Sequence, residues 1–311
     1  MEQVPLVDVR DLATDPVRFG QRVCGVMKEW GFLAVVGHGM SEDILSPARA
    51  ATKKYLAQDP IMLEERYGRP ALFRQRGVSI NMEKAVGHSV VDDKIFDMIR
   101  IEEDPDDPAD NPFGPNVWPD DLVPEYRPAV QVVMREQVKC GRQVLRGVEI
   151  GRGFPEGYLV NMTYGSETVL RPIYYPPVQG RVLPPGTMRS AKHRDINMLS
   201  VLPPTEAHEE GLELLINGEV IPAPPRSGVS YMNTGMMLAE IRTFGEFAHL
   251  NVDLSDLTPT EHQVRMPDGE AQALARVMLA LFLHARRSVM LNECTQCGPW
   301  LDEVVRKITV G

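Results

Sequence analysis

The chain has 311 residues, of which 43% are hydrophobic and 24% are charged, the proportions of a folded globular protein. Its formal net charge of −10, from 43 acidic and 33 basic residues, argues against a nucleic-acid-binding surface or an anionic-membrane surface. No apolar run approaches the roughly 18 residues of a membrane span, and the first residues lack a signal-peptide pattern, so we expect a cytoplasmic protein. The four cysteines fit that compartment, and Cys294-Thr295-Gln296-Cys297 is interpreted as a turn because no second pair accompanies it.

The first part of the chain predicts short strands and helices in alternation. After an extended segment at 7–9, Asp15-Pro16 is a typical helix cap and first helical residue, and apolar residues then recur at helical spacing. Residues 30–39 (WGFLAVVGHG) predict a buried strand ended by glycines, and further helices are expected over about 41–57 and after Pro60. The acidic run at 102–108 predicts a solvated loop.

The second part of the chain predicts one long helix followed by many strands. The helix, over about 125–148, carries a stripe of valines and other apolar residues. From residue 168 onward, short apolar runs are separated by turn residues, and 213–222 predicts a hairpin around an Asn-Gly turn. The later runs are 229–233, 236–238, 262–264 and 277–283. Helices first and closely spaced strands afterwards predict an α+β chain whose sheets form a barrel or jelly roll.

The stretch 192–202 (KHRDINMLSVL) suggests the chemistry. If it forms one strand, His193 and Asp195 face the same side, because alternate residues of a strand do. One imidazole and one carboxylate need only a second histidine to complete a two-histidine, one-carboxylate face, which binds Fe(II) and leaves coordination positions open. Two histidines remain as candidates for that ligand: His262, in a segment where strand entry and a following turn would fix the ring, and His249, which is closer in sequence. We favour His262.

Arg276 is the only charged residue at the start of the apolar run 276–283. A buried guanidinium without a partner is costly. Either a protein carboxylate neutralises it, or it opens into a pocket that receives a ligand carboxylate through paired hydrogen bonds. Its position in the sequence does not decide between the two.

Taken in order, several motifs resemble those of the Fe(II)- and 2-oxoglutarate-dependent oxygenases of the isopenicillin N synthase-like group, and the resemblance covers nearly the whole chain. They are Trp30 to Gly39, with Gly37 where asparagine is usual; Arg76-Gly77; Asp93 to Asp97; Asn116 to Pro119, an N-x-W-P; Leu170 to Pro177, with Ile173 replacing asparagine; the H-x-D of His193 to Asp195; and His262 to Pro267, with Gln263 replacing arginine.

The resemblance implies a double-stranded β-helix, or jelly-roll, core flanked by helices. Residues 1–125 would form the N-terminal helical and strand region typical of the family, and residues 126–311 the long helix and the oxygenase core. No flexible linker separates the two, so we expect one cooperative unit.

The same resemblance implies a cofactor set of Fe(II), 2-oxoglutarate and O2. Fe(II) would be held by His193, Asp195 and His262, and 2-oxoglutarate by Arg276 with assistance from Tyr175. The expected activity is hydroxylation, desaturation or cyclisation of a small molecule, in specialised or amino-acid-derived metabolism. We expect neither nucleic acid nor membrane as a partner, and the sequence does not give the oligomeric state.

Met278 departs from the family, because it occupies the position of the serine that follows the arginine by two residues and supplies a hydrogen bond to the co-substrate. Two rival hypotheses therefore stay open. One is an O2-dependent oxidase or cyclase that works without 2-oxoglutarate, and the other is a degenerate barrel that only binds a small molecule.

Substrate contacts follow less directly from the sequence. Arg171 could bind a substrate carboxylate or pair with a protein acid. An apolar pocket could be lined by residues that serve equally well in a core: Met82, Phe96, Met98, Met232, Met236 and Met237.

Overall fold

The computed structural model describes residues 3–70, 74–81, 90–102 and 112–310, without the side chains of 308–310. Met82 and most of the acidic run at 102–108 lie outside these ranges. None of the helices within them combines the length and the apolar character needed to cross a membrane.

The helices and strands follow one another as the alternating first part and strand-rich second part of the sequence predict. In chain order they are β1 (Leu6–Asp8), α1 (Asp11–Thr14), α2 (Pro16–Trp30), β2 (Phe32–Val36), α3 (Glu42–Leu56), α4 (Pro60–Tyr67), β3 (Gly77–Ile80), β4 (Ile95–Arg100), α5 (Tyr126–Arg152), β5 (Val169–Tyr175), β6 (Ser190–His193), β7 (Leu199–Leu202), β8 (Leu212–Ile216), β9 (Glu219–Pro222), β10 (Ser230–Thr234), α6 (Met236–Ala239), β11 (Glu261–Val264), β12 (Arg276–Leu283) and α7 (Cys297–Val310).

Two sheets form the core. The larger has eight strands in the order β1-β2-β10-β7-β12-β5-β4-β3, and the smaller has four in the order β6-β11-β8-β9. The first part of the chain contributes β1 to β4 to the larger sheet, where β2 pairs with β10 and β4 pairs with β5. Helices flank these sheets, so the predicted α+β class with a jelly-roll core is confirmed.

Helices cover one face of the larger sheet. The long helix α5 packs against α2, α3, β7 and β12, and the buried amide of Gln137 donates hydrogen bonds to the carbonyls of Val201 (3.0 Å) and Leu279 (2.7 Å). Helices α2 and α5 approach closely at Gly20 and Gly151, where a Cβ on Gly20 would lie 2.7 Å from the Gly151 nitrogen. A side chain there would push the helices apart.

The opposite face of β4, β5 and β12 carries a second, separate apolar cluster, because successive side chains of a strand point to opposite sides. This cluster lines the inside of the jelly roll, and we refer to it as the interior cluster. Its buried members are Phe96, Met98, Val169, Ile173, Tyr175, Met278 and Ala280.

Two expectations about secondary structure are wrong. The run 192–202 is two strands in different sheets, and Asp195 lies in the crossing between β6 and β7 rather than on a strand with His193. The crossing is held by backbone bonds from Met236 to the Asp195 carbonyl (2.8 Å) and from Met198 to the Leu283 carbonyl (2.9 Å). The apolar run 236–238 forms the short helix α6 and no strand.

The four cysteines are all free. Three are buried, and Cys294 is exposed. The C-x-x-C segment lies at the start of α7, a helix that the sequence patterns did not predict.

Candidate metal centre

Three side chains with ligand atoms suited to a metal meet at the edge of the smaller sheet. His193 on β6 and His262 on β11 are direct cross-strand partners, and their ring centroids lie 4.4 Å apart. Asp195 lies beneath them, with its Oδ1 at 3.5 Å from His193 Nε2 and its Oδ2 at 3.7 Å from His262 Nε2. One ligand atom from each residue fits within a span of 4.8 Å, and the described residues hold no other such group of histidine, cysteine or carboxylate side chains.

Backbone carbonyls fix which ring nitrogens face the centre of this cluster. His193 Nδ1 lies 2.7 Å from the Ala191 carbonyl, and His262 Nδ1 lies 3.1 Å from the Thr260 carbonyl. Since a carbonyl only accepts, each Nδ1 carries a proton, and in the neutral form of each ring Nε2 has a lone pair on the side of Asp195. Histidines that bind a metal through one ring nitrogen usually donate the N–H of the other to such an acceptor.

The Asp195 carboxylate is oriented by two neutral donors. Its Oδ2 accepts a hydrogen bond from Asn233 Nδ2 at 2.7 Å and a second from the Ser200 hydroxyl. Asn197 Nδ2 in turn donates to Ser200 Oγ at 3.0 Å. Oδ1 accepts no hydrogen bond from another described residue apart from its contact with His193, so one oxygen is held and the other faces the cluster.

Asn233 and Ser200 were not among the predicted site residues. Both are fully buried, on β10 and β7 respectively. A polar residue inside an otherwise apolar strand needs a hydrogen-bond partner. Both residues could have been recognised from the sequence by this criterion.

The electrostatics of Asp195 and His262 favour the protonation states that a metal requires, whereas the contact of His193 with Asp195 favours the charged form of that ring. Burial by itself would raise the pKa of Asp195, but the His262 and His193 imidazoles and the Ser200 hydrogen bond hold that pKa well below its ordinary value. Burial and the neighbouring His193 lower the pKa of His262 to about 4. Burial also disfavours the charged form of His193, but its bond to Asp195 outweighs this and raises its pKa. An ionised carboxylate and a neutral imidazole are the forms that coordinate metal ions.

His249, the alternative second imidazole, lies elsewhere. It is exposed, in the 3-10 helix Gly245–Leu250, and its Nδ1 bonds to the Glu246 carbonyl at 2.8 Å. The structure therefore brings His262, and not His249, to His193 and Asp195.

Arg276 is buried and has no acidic partner within the part of the chain that the structure describes. The residue is only 3% exposed, and its Nε and Nη1 have no hydrogen-bond partner among the described residues. Tyr175 is its cross-strand partner on β5, and the guanidinium carbon lies 5.4 Å from the centre of the tyrosine ring. Of the two alternatives left open by the sequence, this geometry favours a pocket for a ligand carboxylate, since unsatisfied buried donors are costly.

Three of the residues expected to contact a substrate, Arg171, Phe96 and Met98, lie in or beside the interior cluster. Phe96 is one of its members, and the Arg171 guanidinium carbon lies 4.6 Å from the Phe96 ring and 5.1 Å from the Phe282 ring. Met232 is placed differently. Its neighbour Asn233 faces Asp195, so Met232 faces the opposite side of β10, where it is fully buried in the main core. Met232 is therefore removed from the set of substrate contacts.

His284 is a further buried imidazole that the motifs did not indicate. It follows β12 directly, its Nδ1 lies 2.8 Å from the Phe282 carbonyl, and burial lowers its pKa to about 4. Asp195 and Arg171 both lie close enough to influence that pKa. A neutral histidine therefore lies within electrostatic range of both Asp195 and Arg171.

The comparisons with known proteins agree with this geometry. The family model described as "non-haem dioxygenase in morphine synthesis N-terminal" matches residues 4–121. A leucoanthocyanidin dioxygenase from rice (Oryza sativa subsp. indica) is 27% identical over 261 residues, which cover 79% of this chain and 65% of that protein. The chain thus spans about two thirds of the length of this relative. The 2-oxoglutarate-dependent dioxygenase caaD of Aspergillus niger is 24% identical over 247 residues, 76% of this chain and 74% of that protein.

Solved structures show the same fold. A 2OG-Fe(II) oxygenase family protein from Caulobacter crescentus superposes with a TM-score of 0.82 at 21% identity, covering 99% of this chain and all of the other. A full-length protein from Neurospora crassa, solved in complex with alpha-KG, superposes with a TM-score of 0.79 at 19% identity, covering 97% of this chain and 96% of the other. The sequence match at residues 4–121 and the relatives along most of the chain show similarity to non-haem and 2-oxoglutarate-dependent dioxygenases, and the solved structures show that the chain shares the fold of a 2OG-Fe(II) oxygenase.

Proposed function

We propose that the protein is a non-haem dioxygenase that uses Fe(II), 2-oxoglutarate and O2 to oxidise a small organic molecule by hydroxylation, desaturation or cyclisation. The observation that carries the proposal is the convergence of His193, Asp195 and His262, which offer two neutral imidazole nitrogens and one carboxylate oxygen within 4.8 Å. This donor set suits Fe(II) in oxygenases, because three protein ligands on one side leave the remaining positions for co-substrate and oxygen.

When bound, Fe(II) and 2-oxoglutarate supply the oxidising power: in a hydroxylation, O2 converts 2-oxoglutarate to succinate and CO2 while its second oxygen atom enters a C–H bond of the substrate. The chain supplies orientation. The Ala191 and Thr260 carbonyls hold the two rings, and Asn233 and Ser200 hold one carboxylate oxygen so that the other faces the metal position.

For the co-substrate, we propose that the distal carboxylate of 2-oxoglutarate binds Arg276, beside Tyr175. The buried Nε and Nη1 of Arg276 have no partner among the described residues, and a bidentate carboxylate would satisfy both. An oxidase that works without 2-oxoglutarate would leave this guanidinium buried and unpaired.

For the substrate, we propose a small organic molecule that contacts Phe96 and Arg171 in the interior cluster. Arg171 lies between two aromatic rings at the end of β5 away from Tyr175, four residues along the strand, which is about 13 Å. The names of the relatives, such as leucoanthocyanidin dioxygenase and flavonol synthase, are those of enzymes that act on small organic molecules. We also propose a cytoplasmic location, which the four free cysteines support.

The test is succinate formation from 2-oxoglutarate in the presence of Fe(II) and O2. We expect the protein to form succinate and the His262→Ala variant to lose this activity. The His249→Ala variant, which lacks an exposed histidine instead, should retain it. Oxygen consumption without succinate would instead support the oxidase hypothesis. Failure of the protein to bind Fe(II) at all would support a barrel that only binds a small molecule.

A further inference from the structure

A second arginine, Arg189, lies beside Arg276 and is also buried. Arg189 is only 2% exposed, and its Nε and Nη2 are buried without a hydrogen-bond partner among the described residues. Its guanidinium carbon lies 5.5 Å from the centre of the Tyr175 ring, and that of Arg276 lies 5.4 Å from the same ring. Two buried cations thus lie against one tyrosine ring, and neither forms an ion pair with a described carboxylate.

Arg189 reaches this position from the metal-binding side of the molecule. It directly precedes β6, the strand that ends in His193, whereas Arg276 begins β12 in the other sheet. The two guanidinium groups therefore approach Tyr175 from opposite sheets. Any group bound between them would lie inside the jelly roll.

The charge around the pair is incompletely balanced. Burial and the neighbouring Arg276 lower the pKa of Arg189 to about 10, and Glu209 and Asp93 are the acids that oppose this. Asp93 already pairs with Arg181 at 2.8 Å. The Glu209 carboxylate accepts backbone bonds from Val277 (2.8 Å) and Glu206 (3.0 Å). With Glu209 counted against the two arginines, one positive charge remains, and a single carboxylate would neutralise it.

The residue at position 278 suggests what the additional positive charge is for. Met278 lies in the interior cluster, two residues after Arg276, and a thioether is at best a weak hydrogen-bond acceptor and never a donor. The hydrogen bond that a serine would give a carboxylate is therefore absent on β12. Among the described residues, the nitrogens of Arg189 without a partner lie beside the same Tyr175 ring and are donors able to replace it.

We infer that Arg189 is a second binding residue for the distal carboxylate of the co-substrate, which it grips together with Arg276 in place of a donor at position 278. The inference rests on the proposed function, since it assumes a 2-oxo acid with a second carboxylate. It makes Arg189 a determinant of specificity, because the pair requires a dicarboxylate and rejects 2-oxo acids that end in an apolar group.

The test compares two ligands that differ only at the distal end. Anaerobic calorimetric titration of the Mn(II)-loaded protein would measure Kd for 2-oxoglutarate and for 2-oxopentanoate, in which a methyl group replaces the distal carboxylate. We expect Arg189→Met to weaken 2-oxoglutarate binding by about 10- to 100-fold, the range for losing hydrogen bonds to a charged group. Its affinity for 2-oxopentanoate should stay within about twofold. Lys192→Met is the matched control, because it removes a cation from the exposed side of β6, the strand that Arg189 directly precedes, and it should change neither Kd.

A second measurement separates binding from folding. Removing an unpaired buried charge should leave the Tm of the ligand-free protein unchanged or raise it, whereas a merely structural arginine would give a lower Tm and an unchanged preference between the ligands. If Arg189→Met does not fold, Arg189→Lys keeps the charge and should still lose most of the preference.

The outcomes distinguish this inference from the proposed function. Wild-type protein that binds both ligands equally would overturn both. Wild-type protein that prefers 2-oxoglutarate, with a preference lost in Arg276→Met and intact in Arg189→Met, would overturn the role of Arg189 alone.

Discussion

The hydrogen bond from Asn233 to Asp195 should contribute measurably to metal affinity. Asn233→Ala removes the 2.7 Å bond to Oδ2 and leaves the bond from Ser200 in place. A hydrogen bond to a charged group contributes about 1.5–3 kcal/mol, which corresponds to roughly 10- to 150-fold in a binding constant. Because Ser200 still holds the same oxygen, we expect the lower part of that range, about 10- to 30-fold weaker binding of Mn(II) or anaerobic Fe(II) in a calorimetric titration.

The neighbouring Thr234 provides the control. Its hydroxyl is buried without a hydrogen-bond partner among the described residues, and strand alternation directs it away from Asp195. Thr234→Val should therefore bind metal as the wild type does. An Asn233→Ala protein that keeps wild-type metal affinity, or a loss of equal size in Thr234→Val, would refute the idea that Asn233 orients the carboxylate for a metal.

Three further predictions concern stability. Burial raises the pKa of Asp97, which accepts a hydrogen bond from Tyr126, from 3.8 to about 7. Its contribution to stability is therefore full below about pH 4 and is lost as the pH rises through 7, so Asp97→Asn should stabilise the protein at pH 8 by up to about 4 kcal/mol and have little effect at pH 4, as measured by urea unfolding. Gly20→Ala should destabilise it by about 1–3 kcal/mol, because the added Cβ would lie 2.7 Å from the backbone of α5. Gly25→Ala, in the same helix but with open space around the Cβ, should stabilise it by about 0.5–1 kcal/mol, and the reverse order would contradict the α2–α5 packing. We also propose that the two parts of the chain unfold together because they share the larger sheet, so circular dichroism and tryptophan fluorescence should give one midpoint in urea, and two separate midpoints would show independent domains.

Local sequence signals were sufficient to predict most of the helices, strands and turns. Asp15-Pro16 caps α2, with the Asp15 carboxylate accepting from the Arg18 amide, and Asn217-Gly218 forms the hairpin turn with both residues at positive φ. Gly37, where the family usually has asparagine, has φ of 74°, in the left-handed region that glycine and asparagine both tolerate. These features depend on a few neighbouring residues, and for that reason the sequence alone predicts them.

The site was predicted in part. The structure brings His193 and Asp195 together as their spacing predicted, but the predicted geometry was wrong, since Asp195 lies in a crossing between sheets and not on the strand. Their proximity depends on β6 and β7 belonging to different sheets, which no local pattern encodes. The same holds for Arg189, whose significance arises only from its approach to Arg276 across the jelly roll.

The central claim is that His193, Asp195 and His262 hold one ferrous ion and leave it open to a 2-oxo acid anchored by Arg276. The most direct test is a crystal structure of the protein soaked anaerobically with Fe(II) and 2-oxoglutarate. We expect one metal ion bound by both Nε2 atoms and the Asp195 carboxylate, chelated by the 2-oxo acid end, with the distal carboxylate within hydrogen-bond distance of Arg276. A metal bound elsewhere, or one from which either imidazole turns away, would contradict the claim.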